Sequence, residues 1–132
     1  MTRSQATEPM ERPELLSPLA LAFLGDTVYD LFVREALLRE ANRPTHALQK
    51  AAAAQVNARA QAEKAQQIYP LLTEAEAAIF RRGKNAKPGH VPRSCSPEEY
   101  SRATALECLF GWLWLRGQAA RAQELFTTGG TN

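Results

Sequence analysis

Two stretches of the chain are apolar on almost every helical face. Residues 19–29 read Leu-Ala-Leu-Ala-Phe-Leu-Gly-Asp-Thr-Val-Tyr, and residues 105–115 read Ala-Leu-Glu-Cys-Leu-Phe-Gly-Trp-Leu-Trp-Leu. Each run is interrupted by one acid, Asp26 or Glu107, with a glycine close by. The first run sits in a helix with a clear start, because Ser17 can cap it and Pro18 suits its first turn, and the pattern carries it to about Arg39. The second lies in a helix that opens at Ser96-Pro97-Glu98-Glu99, a capping box, and runs to about Arg116, where Gly117 ends it.

Between them the pattern changes character. Asn42-Arg43-Pro44 breaks the chain, and an alanine-rich stretch from about Thr45 to Ile68 predicts one long helix whose small side chains permit close packing. Tyr69-Pro70 interrupts it. Thr73-Glu74-Ala75-Glu76 is another capping box, opening a short helix that carries Ile79 and Phe80 and ends in Arg81-Arg82-Gly83-Lys84-Asn85-Ala86-Lys87. Residues 88–95, with two prolines and a glycine, read as a loop, and a last short helix spans about Gln118 to Phe126. β-Branched residues are scattered and do not alternate, so the expected fold is all-α. The domain spans 17–126, between a flexible N-terminal segment, 1–16, and a flexible tail, 127–132.

Composition narrows the class. A chain of 132 residues suits one helical core, so any partner surface shares a domain with any chemistry. Its 16 basic and 14 acidic residues give a net charge of +2, which leaves the question of a nucleic-acid partner to local charge. No segment approaches the ~20 apolar residues of a membrane span, and Met1 to Arg12 lacks the apolar core of a signal peptide. Cys95 and Cys108 have no metal-ligand spacing and read as free thiols of a reducing compartment, so a soluble cytoplasmic protein is expected.

A carboxylate inside an apolar helix needs a cation or hydrogen-bond donors if it is buried, since desolvating it unpaired costs several kcal/mol. Asp26 shares a helical face with Ala22, Phe23, Tyr29 and Asp30, and Glu107 with Ala103, Thr104, Phe110 and Gly111. Gly25 and Gly111 would let the two backbones approach closely. Side by side, the helices would bring two carboxylates together, and an oxygen-only donor set favours Mg²⁺ or Mn²⁺ over Zn²⁺. The alternative is structural: an acid of this kind can be held by an arginine, and Arg34 or Arg102 could serve.

Leu24-Gly25-Asp26 behind a Ser-Pro helix start, with Val28-Tyr29-Asp30 after it, and Ala105-Leu106-Glu107-Cys108-Leu109-Phe110-Gly111 resemble the two signature segments of the ribonuclease III catalytic domain. The similarity is closest to the short bacterial form, Mini-ribonuclease III, which consists of that domain without a double-stranded-RNA-binding module. Arg81 to Lys87 resembles the basic segment of that form. The resemblance implies an all-α homodimer that cleaves double-stranded RNA with Mg²⁺, for which Mn²⁺ can substitute, leaving a 5′-phosphate and a 3′-hydroxyl. For the short form it implies maturation of the 23S ribosomal RNA precursor ends, with a ribosomal protein on the substrate as a further candidate partner. Asp26 and Glu107 match the family's metal-binding catalytic acids. The further acids of full-length enzymes are absent, with Leu19, Ala22 and Thr104 in their places, so water and RNA phosphate would complete the coordination. Asp30 and Thr104 are candidates to hold water around the ion, although Asp30 can equally be exposed or arginine-paired.

Arg81, Arg82, Lys84 and Lys87 fall within seven positions. Cations at a helix end favour its dipole, which accounts for part of the cluster. With the family resemblance the segment reads as a contact for RNA phosphates, with Asn85 as a hydrogen-bond donor to phosphate or 2′-hydroxyl. Cutting both strands of a duplex is most simply met by a two-fold dimer, and the Asp26 helix is apolar on enough faces to serve core and partner. Trp112 and Trp114, two residues apart, point to different faces and read as core or interface, while His46 and His90 read as surface residues. Two other classes remain open on this reading: a non-catalytic, ribosome-associated RNA-binding relative, and a helical interaction or DNA-binding protein.

Overall fold

The computed structural model describes residues 8–87 and 89–128. Six α-helices follow in order: α1 Pro18–Glu40, α2 Thr45–Gln55, α3 Ala58–Ile68, α4 Glu74–Asn85, α5 Pro97–Leu115 and α6 Ala119–Thr127. Short 3₁₀ turns occupy Pro13–Leu15 and Tyr69–Leu71, and no strand occurs among the described residues. The fold is all-α, as the periodicity requires.

The start signals act as their chemistry predicts. The Ser17 hydroxyl accepts from the Ala20 N–H at 3.1 Å, and both capping boxes form reciprocally, Thr73 with Glu76 and Ser96 with Glu99. These pairings satisfy N–H groups that a helix start leaves without partners.

α5 is the axis of the molecule. Nearly every residue from Ala103 to Leu113 is buried, Glu107 being half-buried, because α1, α3 and α4 all pack on this helix. Tyr29 and Phe32 of α1 meet Phe110 edge-on at 5.4 and 6.0 Å, and Phe126 of α6 closes the cluster at 5.4 and 5.6 Å from the same two rings. Ala62, Ala65 and Ile68 give α3 a narrow face against this core. A partly buried ion pair ties α4 to α6: Arg121 donates to both Glu76 oxygens at 2.8 Å, and that guanidinium holds the Glu76 carboxyl below the usual carboxylate range.

One expectation is revised, and both ends of the domain make contacts that the sequence did not announce. The helix foreseen over 45–68 is two helices, divided at Val56-Asn57. The Asn57 amide group donates back to the Ala53 and Ala54 carbonyls while its oxygen caps α3 through the Ala60 N–H. One side chain thereby satisfies backbone groups on both sides of a corner. Within the N-terminal segment read as flexible, residues 10–16 are strapped down. Met10 N–H donates to the Leu115 carbonyl at 2.6 Å, Trp112 Nε1 donates to Glu14, and Pro13 is buried. At the other end Thr127 belongs to α6, and the Thr128 carbonyl accepts from the Lys64 ammonium. Residues 1–7 and 129–132 lie outside the described residues.

Candidate active site

The crossing of α1 and α5 is set by two glycines. A Cβ on Gly25 would lie 1.6 Å from the Glu107 carbonyl oxygen, and one on Gly111 would lie 2.0 Å from the Leu21 carbonyl oxygen. Each glycine therefore receives the backbone of the other helix, and no side chain fits at either place. This contact sets the residue after Gly25 beside the residue four before Gly111, which brings Asp26 and Glu107 together.

The two acids differ in exposure. Asp26 is exposed in the single chain, contrary to the burial its apolar neighbours suggest, whereas Glu107 is half-buried. The physical reason is that α1 is apolar on more than one face: Leu21, Val28, Tyr29 and Phe32 enter the core, while Leu19, Phe23, Leu31 and Leu38 stay exposed, Phe23 at 84%. Asp26 lies on the exposed side and lines an open groove with Thr27, Asp30, Arg34, Gln49 and Ala53.

Neither acid is the structural arginine pair that the sequence left open. Arg34 binds Asp30 at 3.0 Å and Arg102 binds Glu98 at 3.2 Å. Among the described residues no salt bridge reaches Asp26 or Glu107. Burial, then the negative charge of Asp26 and a hydrogen bond shared with it, push the Glu107 carboxyl up to about 8, against the effect of the Gln61 amide. Two carboxylates that repel in this way, without a cation of the chain's own, form a donor set that suits a hard divalent ion. No group of three or more His, Cys, Asp or Glu side chains converges anywhere among the described residues, so the donor set stays at two acids.

Gln61 is the site residue that sequence reasoning missed. It is buried on α3, and its Nε2 donates to Glu107 Oε2 at 3.3 Å. The available signal was weak: Gln61 is a polar position on the same helical face as the apolar Ala65 and Ile68.

The other candidates are distributed unevenly. The Thr104 hydroxyl donates to the Tyr100 carbonyl at 2.9 Å, back along its own helix, and the Asp30 carboxylate is engaged by Arg34. Arg81, Lys84, Asn85 and Lys87 are exposed at the end of α4 and just beyond it. Arg82 turns the other way and donates to the Glu14 and Leu16 carbonyls at 2.9 and 3.0 Å, pinning the N-terminal strap. Trp112 is buried and Trp114 half-exposed, on different faces of α5, and His46 and His90 are exposed.

Residues 19–118 match the family model described as the ribonuclease III domain. The chain is 43% identical over 116 residues to the Mini-ribonuclease 3 of Symbiobacterium thermophilum, covering 88% of this chain and 89% of that protein. It is 42% identical over 110 residues to the Mini-ribonuclease 3 of a Thermoanaerobacter species, covering 83% and 78%. Among solved structures, a crystal structure of a protein from Fusobacterium nucleatum superposes with a TM-score of 0.77 at 35% identity, covering 83% of this chain and 84% of that one.

Proposed function

The chain belongs to the ribonuclease III family, in its Mini-ribonuclease III branch, and is an endoribonuclease; from that premise we propose that it cleaves double-stranded RNA with Mg²⁺ held between Asp26 and Glu107. The observation that carries this reading is the meeting of the two acids across the Gly25/Gly111 contact, with no salt bridge to either among the described residues. Mn²⁺, with the same preference for oxygen donors, is the natural substitute. When bound, such an ion stabilises negative charge on the phosphoryl oxygens and makes water a better nucleophile.

The chain's own residues do the rest. Asp26, exposed at the groove, and Glu107, half-buried behind it, are the residues that would hold the ion. Gln61 holds the Glu107 carboxylate by donating its amide N–H to Oε2. Arg81, Lys84, Asn85 and Lys87 receive phosphates and 2′-hydroxyls of the duplex, a mode of contact that needs charge and shape more than base recognition. Arg82 contributes by anchoring the strap beneath them, and Asp30 by holding Arg34 at the edge of the groove.

The exposed apolar stripe of α1 supports a homodimer. Leu19, Phe23, Leu31 and Leu38 recur at helical spacing along a face the domain's own core does not use, and a two-fold pairing through it would supply a second pair of acids for the second strand. The natural substrate under this proposal is the cytoplasmic 23S ribosomal RNA precursor, whose ends the enzyme trims, with a ribosomal protein on that RNA as a candidate accessory.

The test is direct. Purified protein is incubated with a perfectly paired RNA duplex, with and without Mg²⁺, and its mass is measured in solution. Mg²⁺-dependent cutting to 5′-phosphate ends by a particle of twice the chain mass is expected. Binding without cutting would favour a non-catalytic RNA-binding relative instead, and neither would remove the RNA reading.

A further inference from the structure

Where α3, the Tyr69–Leu71 turn and α4 meet α5, the surface folds into a cavity of about 440 Å³. That is a volume typical of sites for small organic groups. Its walls are of two chemical kinds. The half-exposed Tyr69 ring tilts onto Phe80 with centroids 5.1 Å apart and forms an aromatic wall. Around it stand Arg81, Lys84 and Arg102, with the amides of Gln66 and Asn85, and no carboxylate is among the lining residues. Arg102 is partly balanced by Glu98 outside the cavity, and Arg81 donates to the Tyr69 hydroxyl at 3.1 Å, which holds that ring in place.

A purely apolar ligand would gain nothing from three cations, and a bare phosphate would gain nothing from an aromatic wall. A nucleotide uses both: its base has a flat face to stack and an edge for the amides, and its phosphate meets the cations. A paired base in a duplex cannot present that face, whereas a bulged or extruded one can. Position favours RNA over a free mononucleotide. The cavity wall begins at Ala65, one turn along α3 from the Gln61 amide that holds Glu107, which is about 6 Å of helix.

We propose that this cavity binds a single unpaired nucleotide of the RNA substrate, stacked on Tyr69 with its phosphate on Arg81, Lys84 and Arg102, and thereby directs cutting to the neighbourhood of a bulge. The inference rests on the endoribonuclease reading for its substrate. It adds a recognition element that duplex geometry alone does not supply.

The experiment compares two duplexes identical except for one bulged 2-aminopurine nucleotide. Binding to the whole protein is measured without divalent cation, and cutting is measured with Mg²⁺. The wild-type chain is expected to bind the bulged duplex at least about fivefold more tightly, on the scale of one base–aromatic stack, with a change in 2-aminopurine fluorescence. Tyr69→Ala and the cavity-filling Gln66→Trp should lose that preference, and Tyr69→Phe should keep most of it. Gln66 is exposed, so its variant decides the matter if Tyr69→Ala fails to fold. Equal affinity for both duplexes, or a preference that survives Gln66→Trp, would overturn the proposal. Cutting of the perfect duplex without any bulge preference sinks the cavity alone. A bulge preference without cutting of either duplex upholds nucleotide binding in the cavity but sinks the nuclease reading and, with it, the directing of cutting.

Discussion

Replacing Gly25 by alanine adds one methyl group at the point where the fold and the candidate active site are set together. That carbon would sit 1.6 Å from the Glu107 carbonyl oxygen, 2.5 Å from its carbonyl carbon and 2.9 Å from the Gly111 nitrogen, whereas ordinary contact begins at 3.4 Å. All three obstacles are backbone, so no rotamer change relieves them, and α1 and α5 must separate by about 2 Å. The separation loosens Leu21, Val28 and Phe32 against Leu106, Leu109 and Phe110, all buried. Overpacking alone costs about 1–3 kcal/mol, and the partial loss of this interface brings the total to roughly 3–5 kcal/mol. Against a domain stability of about 5–15 kcal/mol, that lowers Tm by roughly 10–20 °C. The same movement displaces Asp26 from Glu107 by more than the ~1 Å that already costs on the order of 10²-fold in rate. Thermal unfolding followed by circular dichroism, with duplex cutting assayed well below the variant's Tm, measures both effects. Gly89→Ala is the control, since nothing lies within 4 Å of its would-be Cβ. A Gly25→Ala protein that melts within about 2 °C of wild type and cuts at the wild-type rate would refute the claim that this contact sets the site.

Other perturbations test the remaining links. Glu107→Gln and Asp26→Asn should each lower cutting by about 10²–10³-fold or more, the scale of losing one pre-organised electrostatic group. Because the folded Glu107 titrates near 8 and the unfolded near 4.5, the folded state binds more protons across that window and stability falls as pH rises through it. Glu107→Gln should therefore raise stability in EDTA at pH 8, by roughly 1–3 kcal/mol; a lower Tm there would contradict the repulsion. Gln61→Leu should weaken Mn²⁺ binding, followed by electron paramagnetic resonance, by about 10–100-fold while the fold persists, and unchanged affinity would remove Gln61 from the site. Glu76→Gln breaks a pair whose carboxyl is lowered by Arg121, so its cost of about 2–4 kcal/mol should appear above the unfolded pKa and vanish as pH falls through the lower folded value. Urea unfolding at pH 7 and pH 3 reads that difference, and an equal loss at both would refute the ionic account. Neutralising Lys84 and Lys87 together should flatten the salt dependence of duplex binding by roughly one to two in slope, whereas an unaltered slope would take both off the RNA.

Much of this molecule was legible in its sequence because the signals are local. Ser17, Thr73 and Ser96 each announce a helix start through groups three residues away, and all three caps form. The pairing of Asp26 with Glu107 was legible only with the glycines, since Gly25 and Gly111 mark where backbones can touch. Where one residue does two jobs, periodicity misleads. Asn57 looks like an ordinary polar position on an alanine-rich helix, yet its amide closes α2 and opens α3. Arg82 looks like its basic neighbours, but its partners are carbonyls far away in sequence, in the N-terminal strap.

The sequence by itself determined the all-α class and the main helices and marked the two acids as candidates, because caps, helical periodicity and glycine positions act over a few residues. Only the tertiary structure decided which acid is sheltered. An apolar run states how much surface a helix must hide, not which side the domain hides and which it leaves for a partner, so Asp26 emerged exposed and Glu107 half-buried. It also brought Gln61 onto Glu107, a contact across 46 positions, and curled Tyr69, Arg81 and Arg102 around one cavity. Such arrangements depend on how helices cross, and that is fixed by close packing of distant residues rather than by the order of near ones.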